Sequence, residues 1–408
     1  MRRKTSLFIL ANFILIPLFG QENISPYSMF GAGRTESRGT GTNASMGGVG
    51  IALSSKNTLN FVNPASYTGI DSLNFLFESG ITLKYTQYQA DNKRRNLLNG
   101  NLGYLAMGTK LTPWWGASVG INSYSRVGYT IHTTDQLEGT LVSYPKTFSG
   151  HGGITRFYFG NSILLFKRLS LGVNASYLQG MIQQDEKLDA SGLPVITLSN
   201  VDYISNFMVD YGLQLKILKS KYNLTLGLIY NQQQNLSSVS KEIISNNRDS
   251  TTVNTKDSEF IIPARYGIGL AFEKPDKFRV AADYQQRDWS SIRFNNPLLR
   301  TRTSQKFSIG AEYFPARDMH ETGPMNWTYR FGFYYNKTYL VINNIPVDSK
   351  AITLGVGIPL RKDLSHINIG LEGGITGTTE RGLIQETYIM MDINFSLRDI
   401  WFQKPKYD

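Results

Sequence analysis

The stretch Ala44–Asp71, ASMGGVGIALSSKNTLNFVNPASYTGID, decides how the rest of the chain is interpreted. It is punctuated by glycine, partly apolar and partly polar, and it contains an Asn63-Pro64-Ala65 turn. It lies directly before a long series of segments in which apolar and polar residues alternate. We interpret it as a plug around which a transmembrane β-barrel closes.

The segments that follow this stretch have the period-two alternation of β-strands. Leu169–Tyr177 and Ile389–Leu397 show it best, with an apolar residue at every second position. About fourteen such segments lie between residues 73 and 399, and bacterial single-chain barrels need an even number. We therefore predict an all-β fold: a transmembrane antiparallel β-barrel of about 14 strands with an N-terminal plug segment.

The connections between the segments alternate in length. Tight links such as Phe166-Lys167 and Lys219-Ser220 are followed by long polar ones around 132–149, 184–199, 235–261 and 288–301. Short periplasmic turns and long outer loops are typical of such barrels, and the long link 316–326 is the exception to the alternation. The predicted loop Asn235–Glu259 fits either an outer cap that meets a partner or a mobile, solvated loop.

Composition favours the same class of protein. The chain of 408 residues has 23 Tyr, 38 Gly and no Cys, with a mean hydropathy of −0.24. A barrel tolerates this polarity because each strand gives only half its residues to lipid. The net charge is +11, but Lys and Arg are scattered apart from Lys93-Arg94-Arg95. We therefore expect no nucleic-acid partner, and a basic rim that faces anionic outer-membrane lipids.

The first residues indicate export. Arg2, Arg3 and Lys4 precede the short apolar run Leu7–Leu18, so residues 1–20 are predicted to be a signal peptide. Residues 21–72 are then a periplasmic leader and luminal plug, 73–399 the transmembrane barrel, and 400–408 a periplasmic tail. The predicted location is the bacterial outer membrane.

Ten charged residues fall on the polar face of the predicted strands. An unpaired charge facing the bilayer midplane costs about 2–4 kcal/mol, so we expect them to point into the lumen. They are Asp210, Lys216, Arg265, Glu273, Arg279, Asp283, Glu312, Arg330, Glu372 and Asp392.

Catalysis has little support in the sequence. Barrel enzymes combine Ser and His with an acidic or amide partner. His132 and His151 fall near the predicted outer rim, with Ser143 and Ser149 nearby, but no histidine shares a strand spacing with a serine and a carboxylate. Calcium-loop, zinc and phosphate-loop spacings are also absent. We predict that the protein is not an enzyme and has no catalytic residues, cofactor or metal.

The plug stretch resembles the N-terminal region of the FadL-like outer-membrane transport proteins. The resemblance rests on Met46-Gly47-Gly48, Gly50 and Asn63-Pro64-Ala65, and it is architectural over the rest of the chain. The leader Ser25–Gly31 (SPYSMFG) and a mature end at Gln21 resemble the Bacteroidota branch of that family. The resemblance makes Asn63-Pro64-Ala65 a candidate hatch hinge, whereas the residues alone fit an ordinary turn equally well.

The resemblance implies passive transport of hydrophobic small molecules such as long-chain fatty acids. In that family the substrate leaves sideways at a kinked third strand, which places the candidate kink at Gly116, Gly120 and Gly128. Glycine is common in barrel strands, so these residues alone do not establish a kink. The alternative is a structural or interaction subunit of an outer-membrane secretion or assembly complex, since ten luminal charges are many for an apolar conduit.

Overall fold

A computed structural model describes residues 25–35, 38–136, 143–189, 194–246, 249–292, 299–315, 326–360 and 365–400. The predicted signal peptide lies outside the described residues, as do most of the link 316–326 and the tail after residue 400.

The chain is almost entirely β-strand. A short leader strand, β1 (Arg34–Thr35), precedes the strands of the barrel wall. The wall strands are β2 (Asn74–Ala90), β3 (Lys93–Thr112), β4 (Trp115–Gln136), β5 (Ser143–Leu165), β6 (Leu169–Leu188), β7 (Ile196–Lys219), β8 (Asn223–Asn231), β9 (Gln234–Asn246), β10 (Ser250–Ile262), β11 (Arg265–Lys274), β12 (Phe278–Arg287), β13 (Leu299–Thr301), β14 (Ser304–Tyr313), β15 (Thr328–Ile342), β16 (Ile345–Pro359), β17 (His366–Thr376) and β18 (Gln385–Ile400).

Helical structure in the described residues is confined to short pieces. These are α1 (Gly41–Ala44) and 3₁₀ turns at Pro26–Met29, Pro64–Gly69 and Glu380–Gly382. No helix of the described residues is long and apolar enough to cross a membrane.

The wall closes because β18 pairs antiparallel with β2, from Gln385 opposite Gln89 to Ile400 opposite Asn74. Three pairs of strands, β8 with β9, β10 with β11 and β13 with β14, are separated by two residues each and continue one another. Counted this way the barrel has 14 antiparallel strands, so the predicted fold class is confirmed. We call the end where β2 starts and β18 stops the terminal end, and the opposite one the far end.

The prediction that Asn235–Glu259 forms a loop is wrong. These residues form most of the β9–β10 hairpin, which pairs from Ile262 opposite Gln234 to Ser250 opposite Ser245, and β9 also pairs with β7. The strands around 132–149 and 184–199 likewise run further than predicted, to Gln136 and Leu188. Such extensions are hard to recognise, because a strand with solvent on its faces keeps its backbone pairing without an apolar stripe.

The outside of the wall carries a belt of exposed large apolar side chains, including Met107, Val119, Phe159, Phe331 and Leu354. The inward positions of the same strands are buried and mostly polar, such as Ser118, Asn174 and Gln214. This is the reverse of a water-soluble protein and the expected arrangement of a barrel that meets lipid outside and the plug inside.

Candidate functional site: the plugged lumen

Residues 38–71, which we call the plug, fill the barrel interior. Met46, Val49 and Ile51 are completely buried, and Tyr67 and Ile70 nearly so. Thr40 and Asn43 form a reciprocal cap at the start of α1. Asn63 caps the 3₁₀ turn, since its side chain accepts a hydrogen bond from the Ala65 N–H at 3.0 Å. The plug is therefore a folded unit with its own local hydrogen bonds.

Glycines in the wall let the plug backbone lie directly against the strands. A Cβ atom on Gly332 of β15 would overlap the backbone of Met46 and Gly47, and one on Gly172 of β6 would overlap that of Pro64 and Ala65. A residue with any side chain at these positions would push the plug out of its seat.

Wall side chains bind the plug backbone. Asp283 accepts hydrogen bonds from the amides of Gly50 and Ile51 at 2.7 and 3.0 Å. Glu78 accepts one from the Leu59 amide at 2.7 Å, and Thr353 accepts one from Gly47 at 2.9 Å. Amides held by buried carboxylates are strong contacts, because water cannot compete for them.

The Asn63-Pro64-Ala65 turn is buried against the wall. The Asn63 side-chain amide donates to Ile51 of the plug at 2.7 Å and to Leu213 and Leu228 of the wall at 3.1 and 3.3 Å. This turn therefore links the two halves of the plug and fixes both to β7 and β8.

The ten charged residues predicted to be luminal all lie on the inward side of the wall, and most form ion pairs. Asp210 pairs with Arg156 and Arg265 at 3.2 and 3.4 Å. A second chain runs from Glu273 through Arg279 and Glu312 to Arg330, with separations of 2.9, 3.3 and 2.8 Å. Glu372 and Asp392 both face Arg38 of the plug, at 3.6 and 3.2 Å. Lys216 lines a small cavity beside the plug residues 52–54.

Sequence reasoning missed three members of this network. Glu78, Arg156 and Glu386 are buried on inward strand positions, and Glu386 pairs with Arg34 of the leader at 3.5 Å. The alternation of Asn74–Ala90 places Glu78 on the polar face, so the same face argument would have found it. The pairing of Glu386 with the leader has no local signal, because the two residues are far apart in the sequence.

The third barrel strand, β4, separates from β3 partway up the wall. Their pairing stops at Tyr104 opposite Asn122, although both strands continue towards the far end. Each has a bulge at this point, with Gly103 extra in β3 and Tyr124 extra in β4. Bulges bend strands, and here they leave an opening of about 390 Å³ in the wall.

Residues 25–35, which we call the leader, cover the edge of β4 on the far-end side of this opening. Thr35 and Arg34 pair with Ser125 and Arg126, and the Ser25 amide donates to the Gly128 carbonyl at 2.9 Å. Among the predicted kink glycines, only Gly128 borders this region. Gly116 lies against Tyr67 of the plug, and Gly120 lies against Leu105 and Tyr158.

A central cavity of about 230 Å³ lies between the plug and the leader. Phe61 and Val62 border it on the plug side, while Tyr27 and Trp289 are among its other lining residues. Its wall carries Arg156, Asp210, Arg265, Arg287 and Lys306. Charged side chains therefore stand beside aromatic and aliphatic ones where an apolar substrate would have to pass.

The two histidines of the predicted rim do not form a catalytic group. His132 contacts Thr147 at 3.1 Å, and His151 lies opposite Gln183 in the β5–β6 pairing. Within the described part of the chain, no group of three or more His, Asp or Glu residues is arranged to hold a metal ion.

Several solved structures share this architecture. A Pseudomonas aeruginosa FadL homologue has a TM-score of 0.60 at 12% identity, over 91% of this chain and 100% of that one. The Ralstonia pickettii toluene transporter TbuX has a TM-score of 0.59 at 16% identity, over 93% of this chain and 99% of that one. The monoaromatic hydrocarbon channel CymD has 0.55 at 14% identity, over 89% and 97%. At these identities the likeness concerns the fold.

The remaining comparisons concern the sequence itself. A search of curated proteins finds no match to this chain. The solved structures support the predicted resemblance to FadL-like proteins at the level of the fold. The predicted Bacteroidota branch stays a prediction. A family model, in contrast, matches residues 1–408 in full, and the chain belongs to the BamG family.

Proposed function

We propose that this protein is a structural or interaction subunit of an outer-membrane secretion or assembly complex, and that its lumen is closed. The observation that carries the proposal is the way the plug is held: buried carboxylates bind its backbone amides, and the charges around it form ion pairs. A subunit that binds other envelope proteins through its outer surface passes no substrate through its lumen, so its plug does not need to move.

The character of the lumen argues against an apolar conduit as the main role. A hydrophobic molecule in the central cavity would displace water from Arg156, Asp210 and Arg265 and leave their remaining polar groups unsolvated. Unpaired burial of charged groups is costly, so the cavity favours polar contents. A structural subunit meets no such penalty.

The proposed location is the outer membrane, with the apolar belt in contact with outer-membrane lipids. Short turns lie at the terminal end, for example at Phe166-Lys167, where both residues have positive φ. We place this end in the periplasm, because short periplasmic turns are typical of bacterial barrels. The far end, where the β9–β10 hairpin projects, then faces outward and offers a surface for envelope protein partners.

Depletion of the protein in its native host tests the proposal. We expect the abundance of several other outer-membrane proteins to fall in membrane proteomes, since an assembly or secretion complex would lose a component. Unchanged outer-membrane composition, together with a selective defect in growth on one hydrophobic nutrient, would contradict it.

The second candidate function is passive transport of hydrophobic small molecules such as long-chain fatty acids. The opening between β3 and β4 favours it, since this gap could release an apolar molecule sideways into the membrane. Uptake of a labelled fatty acid in cells with and without the protein tests this function. Transport predicts an uptake that depends on the protein, and equal uptake in both strains would exclude it for that substrate.

A further inference from the structure

The central cavity carries an excess of positive charge. Six of the described residues that line it are cationic: Arg34, Arg38, Arg156, Arg265, Arg287 and Lys306. Asp210 is the one carboxylate among those lining residues. Glu386, Glu372 and Asp392 stand behind this layer and pair with Arg34 and Arg38. Within the described residues these four carboxylates pair with four of the six cations, so two cations form no ion pair.

These two charges can be located. Arg287 and Lys306 have no carboxylate within 4.0 Å among the residues the structure describes, whereas the other four cations do. Arg287 of β12 also lies directly opposite Arg265 of β11. Like charges that face each other across strands are destabilising. Asp210, the carboxylate that pairs with Arg265, is shared with Arg156.

One buried hydrogen-bond donor in this cavity also lacks an acceptor among the described residues. The Nε–H of Arg265 is buried and has no hydrogen-bond acceptor within the described part of the chain. A buried guanidinium donor without a partner costs free energy, and so do confined like charges. An anion between Arg265, Arg287 and Lys306 would remove both costs at once.

We propose that this cavity is a binding site for a small hydrophilic oxyanion, a phosphate or carboxylate group. Arginine guanidinium groups bind both ligands in a bidentate manner, which suits a site with several arginines. A cavity of about 230 Å³ is many times the ~10–15 Å³ that one water molecule needs and admits such a group. Asn122, Gln285 and Asn336 supply further polar atoms around the cavity. The group arrives either as a free ion or as the head of a phosphorylated lipid that enters through the opening in the wall.

Calorimetric titration of the delipidated protein in a neutral detergent tests the site, with sodium phosphate and then citrate at constant ionic strength. The double variant R287Q/K306Q removes the two unpaired charges and should weaken binding by about tenfold or more. The control R300Q/K350Q removes the same net charge from two exposed positions and should bind as the wild type does. Heat-modifiable mobility on gels shows whether each variant keeps the barrel.

Native mass spectrometry of the protein before delipidation separates the two sources. A phosphorylated lipid that is present on the wild type and absent from R287Q/K306Q identifies a headgroup, and a retained free phosphate or carboxylate identifies an ion. The site is overturned if the wild type binds neither anion at millimolar concentration, or if both double variants lose binding equally. The result does not depend on whether the protein has partners, so it stands apart from the proposed function.

Discussion

At the residue scale, single contacts decide whether the plug stays in place. Asp283 is the clearest case, because one carboxylate oxygen holds two plug amides. Wall and plug meet at a few such residues, so their effects can be measured one at a time.

Replacing Asp283 by Ala should loosen the plug locally. Two buried amides lose a charged acceptor, which costs about 1.5–3 kcal/mol. Hydrogen exchange at Gly50 and Ile51 should therefore accelerate by at least tenfold, while the wall strands stay protected. Asp257→Ala, at an exposed position of the far-end hairpin, is the control and should change neither region. Equal protection of Gly50 in both variants would contradict the assigned role.

Replacing Gly332 by Ala should displace the plug by steric overlap. The new Cβ would meet the backbone of Met46 and Gly47. Gly373→Ala is a matched control in the wall, because a Cβ there meets nothing within 4 Å. We expect protease cleavage within residues 41–50 in the first variant alone. If G332A resists protease as G373A does, glycine at position 332 is not required for the plug to pack against β15.

At the element scale, the leader and the third barrel strand form one unit. The leader supplies β4 with the hydrogen bonds that β3 gives up beyond Tyr104. This arrangement explains why a strand can leave its neighbour without exposing its edge.

A disulfide tests this pairing directly, since the chain has no native cysteine. Thr35 and Ser125 are paired residues in an antiparallel ladder, where Cα atoms are about 4.5–5.5 Å apart, within disulfide reach. T35C/S125C should therefore cross-link on mild oxidation. T35C/S118C is the control, because seven residues of strand separate the two serines by roughly 23 Å. Failure of T35C/S125C to cross-link, or equal cross-linking of both variants, would refute the pairing.

The same elements show how far the sequence alone reaches. Alternation identifies strand stretches such as Leu169–Tyr177, because one face meets lipid and the other meets the plug. It fails for β9 and β10, which lie beyond the apolar belt and need no apolar face. The charged face argument placed Asp210 and Glu312 in the lumen. It could not give the pairing of Arg34 with Glu386, since this contact exists only after the barrel closes.

In the whole molecule the plug fills the barrel interior, and we propose that the barrel does not conduct. The plug, the ion pairs and the leader lie at successive levels of the lumen. The apolar belt and the far-end hairpins remain as the surfaces through which the protein meets its surroundings.

Planar-bilayer recordings should reflect this closure. The wild-type protein should show no stable conductance steps, because plug residues such as Met46, Val49 and Ile51 are fully buried inside the barrel. Deleting residues 41–70 should produce discrete openings, and G332A serves as the milder variant if the deletion does not fold. Steady conductance of the wild type, at a level equal to that of the deletion, would show that the plug does not seal the barrel.

The most direct test of the central claim is mild-detergent purification of the tagged protein from its native membrane, followed by protein and lipid mass spectrometry. We expect envelope proteins in stoichiometric amounts and a lipid profile equal to that of the bulk membrane. A protein that emerges alone, carrying fatty acids or similar hydrophobic molecules, would contradict it and establish the transporter instead.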